Sequence, residues 1–339
     1  MLRIWLACSV AVWSMVTTNA YCGVADPQFE ILSSITGPDG SWDYATVDAA
    51  ARRLYIGRSY GVMTVNLDTQ SVEDRFVAGS IVHGVAVVDE SGLLVSTNGK
   101  SNTATIFEGK SGKIVAEVAT GKAPDAVVFE PRTGLVAVIN HDGGDMTLID
   151  PKRLAAVGSI EIGGELEFGA ADGKGFLYIN VADTHRIAVV DVVARKVINV
   201  VPLVGCKNPT GIAYDAADAW LISVCFNGVA KIIDAATLKQ MASIPTGKIP
   251  DAVIWDGTRR LAFVPSHADG TLTVIAVDSS GKFRVTQTLK TQPGTRTGAL
   301  DPNTGRVYLP TSRLVRSDRA GEYPKPVPGT FRILVVGTK

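Results

Sequence analysis

An internal repeat of about 42 residues limits this 339-residue chain to a small set of folds. In each repeat an apolar run ends in an acidic residue, and the next such acid follows 41 to 45 residues later. The seven acids are Asp48, Asp89, Glu130, Asp172, Asp215, Asp256 and Asp301. Seven copies of one structural unit therefore account for almost the whole chain.

Each repeat contains four short runs that are rich in β-forming residues and are separated by turns. In the fourth repeat, residues 177–179 follow the turn after Asp172, a third run ends at Asp191, and residues 196–201 form a more polar fourth run. Inner runs that are apolar at consecutive positions are typical of strands buried on both faces. The pattern predicts an all-β fold, a seven-bladed β-propeller with four-stranded blades.

The two ends of the chain predict how the ring closes. The last repeat has runs at 297–301, 306–310 and 331–336, and then the sequence stops without a fourth run. Residues 29–35, ahead of the first repeat, have the pattern of a fourth strand. We expect this N-terminal strand to complete the last blade, because the pairing leaves no open edge where the ring joins.

Residues 1–20 have the pattern of a cleaved secretory signal peptide: a positive charge at Arg3, an apolar run over 4–16, and small residues ending at Ala20. The alternative is an uncleaved interfacial anchor, since the run is shorter than a membrane span. We predict a short lead at 21–28, one propeller domain at 29–339, and a periplasmic or secreted location. Cleavage after Ala25 also fits and would remove Cys22.

The charge balance and the missing motifs exclude several functions. The chain has 33 Lys and Arg against 33 Asp and Glu, so it lacks the positive charge that favours nucleic-acid binding. It contains no Cys-x-x-Cys-His for covalent haem, no Gly-x-Ser-x-Gly elbow and no His-Glu-x-x-His zinc helix. We therefore predict no cofactor other than a divalent metal that the histidines would allow, and we lean against an enzyme.

The repeats resemble the YVTN-repeat, YncE-like propellers of bacterial envelopes. The resemblance rests on residues 121–130 (GKAPDAVVFE) and 247–256 (GKIPDAVIWD), with 177–180 and 189–191 in support, and it extends from about residue 29 to the end. It implies a WD40-like seven-bladed ring in the cell envelope. Nucleic-acid binding, suggested for YncE-like relatives, is the less favoured alternative here.

In an antiparallel blade the start of the first strand and the end of the second strand lie on the same face of the ring. We call this the upper face. We predict that it binds a small molecule, a peptide or a partner protein of the envelope, without catalysis. We also predict that the protein is a monomer. All four histidines fall on the upper face. The predicted ligand-binding residues are Asp43, Arg58, His83, Asp125, His141, Glu167, His185, Asp251, His267 and Arg296.

Two pairs on this face repeat the same spacing: Asp125 with His141, and Asp251 with His267, each 16 residues apart. A carboxylate can hold an imidazole in one tautomer, as a general base or a metal ligand requires. The alternative function is therefore a hydrolase or lyase that uses an Asp–His base or a divalent metal, with no catalytic residue assigned.

Residues 311–330 form an irregular excursion that is rich in charge, carrying Arg313, Arg316, Asp318, Arg319, Glu322 and Lys325. It leaves from the end of a second strand and so starts on the upper face. With Arg58 and Arg296 nearby, an anionic small molecule or an acidic peptide is the expected guest.

The cysteines predict one disulfide. Cys206 precedes the first strand of blade five and Cys225 ends the second strand of that blade, so both lie on the upper face. In an oxidising compartment we expect them to be bonded. Cys8 leaves with the signal peptide.

Overall fold

The computed structural model describes residues 26–278, 280–315 and 324–339. The predicted signal peptide at 1–20, Cys8, Cys22 and both cleavage positions lie outside the described residues, as do Arg316, Asp318, Arg319 and Glu322 of the excursion. The predicted lead at 21–28 is described only from Asp26 onward.

The first three blades are four-stranded antiparallel sheets whose strands follow chain order from the axis outward. Blade one holds β2 (Trp42–Asp48), β3 (Arg53–Arg58), β4 (Gly61–Asn66) and β5 (Val72–Ala78). Blade two holds β6 (Val85–Val88), a 3-10 turn (Asp89–Ser91), β7 (Leu93–Asn98), β8 (Thr103–Glu108) and β9 (Ile114–Ala119). Blade three holds β10 (Pro124–Glu130), β11 (Leu135–Asn140), β12 (Asp145–Asp150) and β13 (Ala155–Glu161).

Blades four to six repeat this arrangement. Blade four holds β14 (Leu166–Ala171), β15 (Phe176–Val181), β16 (Arg186–Asp191) and β17 (Lys196–Pro202). Blade five holds β18 (Pro209–Asp215), β19 (Trp220–Cys225), β20 (Val229–Asp234) and β21 (Lys239–Pro245). Blade six holds β22 (Ile254–Asp256), β23 (Leu261–Ser266), β24 (Thr271–Val277) and β25 (Phe283–Lys290).

The seventh blade combines both ends of the chain, as the sequence predicts. From the axis outward it holds β26 (Ala299–Asp301), β27 (Arg306–Thr311), β30 (Arg332–Gly337) and the N-terminal strand β1 (Glu30–Thr36). β1 and β30 are antiparallel, with Ile35 opposite Ile333. Between β27 and β30 a small hairpin pairs β28 (Leu314–Val315) with β29 (Lys325–Pro326).

The innermost strands contact each other in sequence around the axis, and β26 contacts β2, so the ring is closed. Apolar residues that are consecutive along the second and third strands pack between blades. At the joint between blades seven and one, Ile56 and Met63 pack with Ile333, and all three side chains are fully buried. The predicted all-β propeller with seven four-stranded blades is confirmed.

The acids that end first and third strands bind backbone N–H groups of the next turn. Glu130 accepts from Arg132 N and Thr133 N, and Asp234 accepts from Ala236 N and Thr237 N. These carboxylates lie on the lower face, opposite the predicted ligand-binding face. They hold the repeat's turns in shape.

The predicted disulfide between Cys206 and Cys225 is present, with 5.5 Å between the Cα atoms. It ties the segment before β18 to the end of β19. A disulfide is typical of proteins in a non-reducing compartment. Among the described residues we find no helix with the length and apolar character needed to cross a membrane.

Candidate functional site

A cavity of about 560 Å³ opens on the upper face at the ring axis. We call it the cup. Its wall includes eight of the ten residues predicted from the sequence: Asp43, His83, Asp125, His141, Glu167, Asp251, His267 and Arg296.

The polar floor of the cup is built from one position of the repeat. That position is the second residue of the first strand or lies two to three residues ahead of that strand, so every blade turns one such residue toward the axis. In blade order the seven residues are Asp43, His83, Asp125, Glu167, Thr210, Asp251 and Arg296, and all of them line the cup except Thr210, which is buried. We call them the ring residues. Their four carboxylate side chains are 14–19% exposed.

His83 lies between two aspartates from neighbouring blades. Its Nδ1 is 2.6 Å from Asp43 Oδ2 and 3.1 Å from Asp125 Oδ1. Burial lowers the pKa of His83, but the hydrogen bond to Asp43 and the charges of both aspartates outweigh it, so the net shift is upward. The three ligand atoms lie within 4.8 Å of one another, which is a group able to hold a metal ion.

The two aspartates of this group differ in charge balance. Burial raises the pKa of Asp43, but the charge of Arg296 and the hydrogen bond to His83 outweigh it and leave the pKa below its usual value. The pKa of Asp125 is raised, because burial and the charges of Asp43 and Glu167 exceed the effect of His83. Asp125 therefore holds a proton more readily than an exposed aspartate does.

Arg296 bridges blades one and six across blade seven. Its Nη2 is 3.7 Å from Asp43 Oδ1, and its Nε is 4.0 Å from Asp251 Oδ2. The pKa of Asp251 is raised to about 7, chiefly by burial. The charge of Arg296 lowers it, and repulsion from the other three ring carboxylates raises it further. One guanidinium is therefore too little charge to balance this side of the cup.

Two further histidines line the cup, and their pKa values shift in opposite directions. His141 lies between Glu167 Oε1 at 3.5 Å and Asp142 Oδ1 at 2.9 Å. The hydrogen bond to Glu167 is the largest cause that raises the pKa of His141 to about 9, with Asp142 adding to it. His267 has a buried Nδ1 with no hydrogen-bond partner among the described residues, and burial with the charge of Arg296 lowers its pKa.

Tyr44 lies at the bottom of the cup and Phe168 packs against it from outside the cup, a feature that the sequence reasoning missed. Their rings are 4.9 Å apart, and the Tyr44 hydroxyl is 3.4 Å from Asp125 Oδ2. Burial, followed by the charges of Asp125, Glu167, Asp251 and Asp43, raises the pKa of Tyr44 well above its usual value. The phenol thus lies in the field of all four ring carboxylates.

The repeated sequence pattern already distinguishes these two aromatic residues. The residue after each ring residue is small or polar in five blades (Gly84, Ala126, Gly211, Ala252, Thr297) and aromatic in blades one and four. Beneath the aromatic pair a second cavity of about 80 Å³ continues along the axis between first strands, lined by residues such as Gly84 and Gly211. Aligning the repeats at this position would have identified Tyr44 and Phe168.

Apart from Ser41 and Asp142, the larger side chains in the rest of the cup wall are apolar. Trp42 lies beside the ring residues, Phe226 follows the second strand of blade five, and Leu314, Pro324 and Pro326 come from the excursion of blade seven. The cup therefore combines an anionic floor with an aromatic and proline-rich wall.

Two of the ten predicted residues do not line the cup. Arg58 is fully buried below the face: its Nε donates to Ser41 O, one Nη donates to Pro38 O, and its guanidinium lies 4.1 Å from the Phe331 ring centroid. Because these groups cover the guanidinium, Arg58 is not exposed even though it ends β3. His185 Nδ1 is 2.7 Å from Ala182 O, within the turn that joins β15 to β16 in blade four.

The two predicted Asp–His pairs are also wrong in their partners. The ring residue of one blade pairs with a residue of the next blade around the axis, so Asp125 contacts His83 and His141 contacts Glu167. Within the part of the chain that the structure describes, His267 Nδ1 has no hydrogen-bond partner, so no bond to Asp251 is found there. Two cations behind the expected anionic guest are already engaged, because Arg58 is buried and Arg296 lies near the carboxylates of Asp43 and Asp251. The anionic guest itself stays a prediction.

Comparisons with known proteins show the fold alone. A chain of hydrazine synthase from Kuenenia stuttgartiensis matches with a TM-score of 0.68 and 16% identity, covering 81% of this chain and 94% of that chain. A chain of the mitotic checkpoint complex matches with a TM-score of 0.73 and 13% identity, covering 91% and 94%. No protein-family model and no curated protein matches this sequence.

Proposed function

We propose that this chain is a periplasmic or secreted, YVTN-like propeller that binds without catalysis a cationic group in its cup. The group belongs to a small molecule, a peptide or an envelope partner protein. The observation that carries the proposal is the set of four carboxylates at one repeat position around the axis, which outnumber the cationic groups Arg296, His83 and His141.

The charge balance supports a cation rather than an anion. The raised pKa values of Asp125 and Asp251 mean that these carboxylates lack sufficient positive charge around them. A bound ammonium or guanidinium group replaces the missing charge and allows both to ionise. The same carboxylates repel phosphate groups, which also disfavours nucleic-acid binding on this face.

The shape of the cup supports a small or side-chain-sized guest. A volume of about 560 Å³ is in the range of ordinary ligand sites. Aromatic groups at Trp42, Tyr44 and Phe226 provide faces for an apolar body or for a cation. The signal-peptide pattern and the disulfide support the compartment.

Calorimetric titration with three probes of similar size tests this function. We expect phenylethylammonium to bind at least tenfold more tightly than phenylethanol or phenylpropionate, since charge-assisted hydrogen bonds contribute about 1.5–3 kcal/mol. Glu167→Gln together with Asp251→Asn removes the preference. The matched control is Asp191→Asn, an acid of a lower-face turn that bonds Ala194 N. Equal binding of phenylpropionate would reject the proposal.

A second candidate is a metal centre at Asp43, His83 and Asp125, the alternative that includes hydrolase or lyase chemistry. Its support is the set of one imidazole nitrogen and two carboxylate oxygens from three blades, all facing the cup. Mixed nitrogen and oxygen donors suit zinc and manganese, and coordination positions on the cup side would remain open.

Elemental analysis of untagged protein purified from the periplasm tests the metal candidate. We expect a stoichiometric metal that is lost in His83→Gln and retained in His185→Gln, since His185 lies outside the cup. Metal-free protein that also takes up no zinc or manganese in equilibrium dialysis would reject this candidate and leave the organic cation.

A further inference from the structure

Two isoleucines near the cup have a backbone conformation that suits them poorly. Ile81 and Ile249 both have φ of 53° and are the β-branched residues with positive φ in the part of the chain that the structure describes. Each lies two residues ahead of a ring residue, His83 or Asp251. A β-branched side chain in the left-handed region is strained by about 1–2 kcal/mol.

The fold requires this conformation but not isoleucine. The carbonyl of Ile81 accepts from Gly99 N, and that of Ile249 accepts from His267 N, both at 2.9 Å. In blade five the same position holds Asn208, with φ of 46°, whose carbonyl accepts from Phe226 N. Asparagine tolerates the left-handed region, so isoleucine is not there for stability.

Both side chains are exposed at the edge of the cup. Ile81 is 43% exposed and Ile249 37%, and Phe226, which lines the cup, is 40% exposed. Two peptide units separate each isoleucine from its ring residue, so their Cα atoms are at most about 7.6 Å apart. We call Ile81, Phe226 and Ile249 the apolar collar. Strain combined with apolar exposure at a binding face points to contact with a partner.

We propose that the collar docks a protein segment that presents one basic side chain flanked by apolar residues, with the basic group in the cup. The inference rests on the proposed function and names the partner's chemistry. Charge complementarity selects Lys or Arg for the anionic floor, and the exposed collar selects apolar neighbours. Ile81 and Ile249 belong to blades two and six on different sides of the axis, so a ligand that fits inside the cup does not reach both.

Synthetic peptides test the collar on the intact mature protein. The probes are acetyl-Ser-Leu-Lys-Leu-Ser-amide, the peptide in which serines replace both leucines, and the peptide in which norleucine replaces lysine. We expect the first peptide to bind at least tenfold more tightly than either of the others, since buried apolar area and charge pairing both contribute.

The variant Ile81→Asn with Ile249→Asn separates the collar from the cup. We expect it to lose the preference for leucine over serine, to keep the affinity for phenylethylammonium, and to melt at a higher temperature because the strain is relieved. The control is Ile198→Asn with Val200→Asn on β17, where both side chains are exposed to a similar degree. This control keeps the peptide preference.

The outcomes distinguish the two proposals. Equal binding of the leucine and serine peptides, with phenylethylammonium still bound, overturns the collar and leaves the cup. Equal binding of the norleucine peptide also overturns it, because the basic group is then unnecessary. If phenylethylammonium and all peptides fail to bind, the proposed function fails and the collar with it.

Discussion

Two aspartates near opposite ends of the inner strands, Asp301 and Asp251, have pKa values that shift in opposite directions. Asp301 ends β26 on the lower face, where Arg52 at 2.7 Å, Thr304 and Asn303 N bond its carboxylate. Burial raises the pKa of Asp301, but these partners outweigh burial and the net pKa is lowered. Asp251 on the upper face has Arg296 at 4.0 Å and a raised pKa.

The difference lies in the donors that each face supplies. Asp301 has donors fixed by its own turn and by the neighbouring blade, so its charge is balanced on folding. Asp251 lies near other ring carboxylates with one cation at 4.0 Å, which is the basis of the proposed cation binding. Burial alone does not distinguish the two faces; the presence of fixed donors does.

The largest expected effect is on the lower face. Asp301→Ala leaves Arg52 without its buried partner and removes the acceptors for the β26–β27 turn, so we expect a loss of about 3 kcal/mol of unfolding free energy. Urea unfolding measures it. Asp48→Asn, in the equivalent and more exposed turn of blade one, is the control and should cost below about 1 kcal/mol. A larger loss for Asp48 would break the comparison.

In contrast, we expect Asp251→Asn to increase the free energy of unfolding at high pH. The folded pKa of Asp251, about 7, exceeds the unfolded value, so its contribution to stability is full below about pH 4 and is lost as pH rises through 7. An asparagine does not ionise, so we expect it to stabilise the protein at pH 8 by about 2 kcal/mol and to have little effect at pH 4. Urea unfolding at both pH values checks this. Destabilisation at pH 8 would show that Asp251 is well paired.

Cation binding should depend on pH in the same window. Only the ionised form of Asp251 attracts phenylethylammonium fully, so the affinity should rise about eightfold between pH 6 and 7.5 for a single group with a pKa near 7. His141, with a pKa of about 9, stays protonated over this range. Calorimetry at a series of pH values measures the profile, and Asp251→Asn should make it less steep while Asp125, whose pKa is also about 7, still titrates. An unchanged profile in that variant would assign the titration elsewhere.

The smallest effect is expected for Tyr44→Phe at the bottom of the cup. The hydroxyl is 3.4 Å from Asp125, a weak hydrogen bond, and the ring contact with Phe168 is kept. We expect a change in unfolding free energy within about 0.5 kcal/mol and phenylethylammonium affinity within about twofold. A loss beyond tenfold would make the phenol a direct ligand-binding group.

The repeat made the fold readable from the sequence, including the pairing of β1 with β30 and the disulfide. Strand alternation and turn acids are local properties, so seven copies of the pattern give seven blades without any knowledge of long-range contacts. The rule that first-strand starts and second-strand ends share a face also placed eight of ten candidates around one cup.

Partners within the cup were not predictable in the same way. The 16-residue spacing joins Asp125 to His141 within one blade, whereas the ring geometry brings His83 and Glu167 from the neighbouring blades. Arg58 looks like a free cation in the sequence, yet the segment at 38–41 and Phe331 cover it.

The sequence by itself determined the number of blades, the closure of the ring and the face that carries the polar residues, because each depends on a pattern repeated along the chain. Only the tertiary structure decided the sign of the net charge in the cup. The charge that a buried group keeps depends on distances to residues more than 40 positions away, and those distances exist only once the blades surround a common axis.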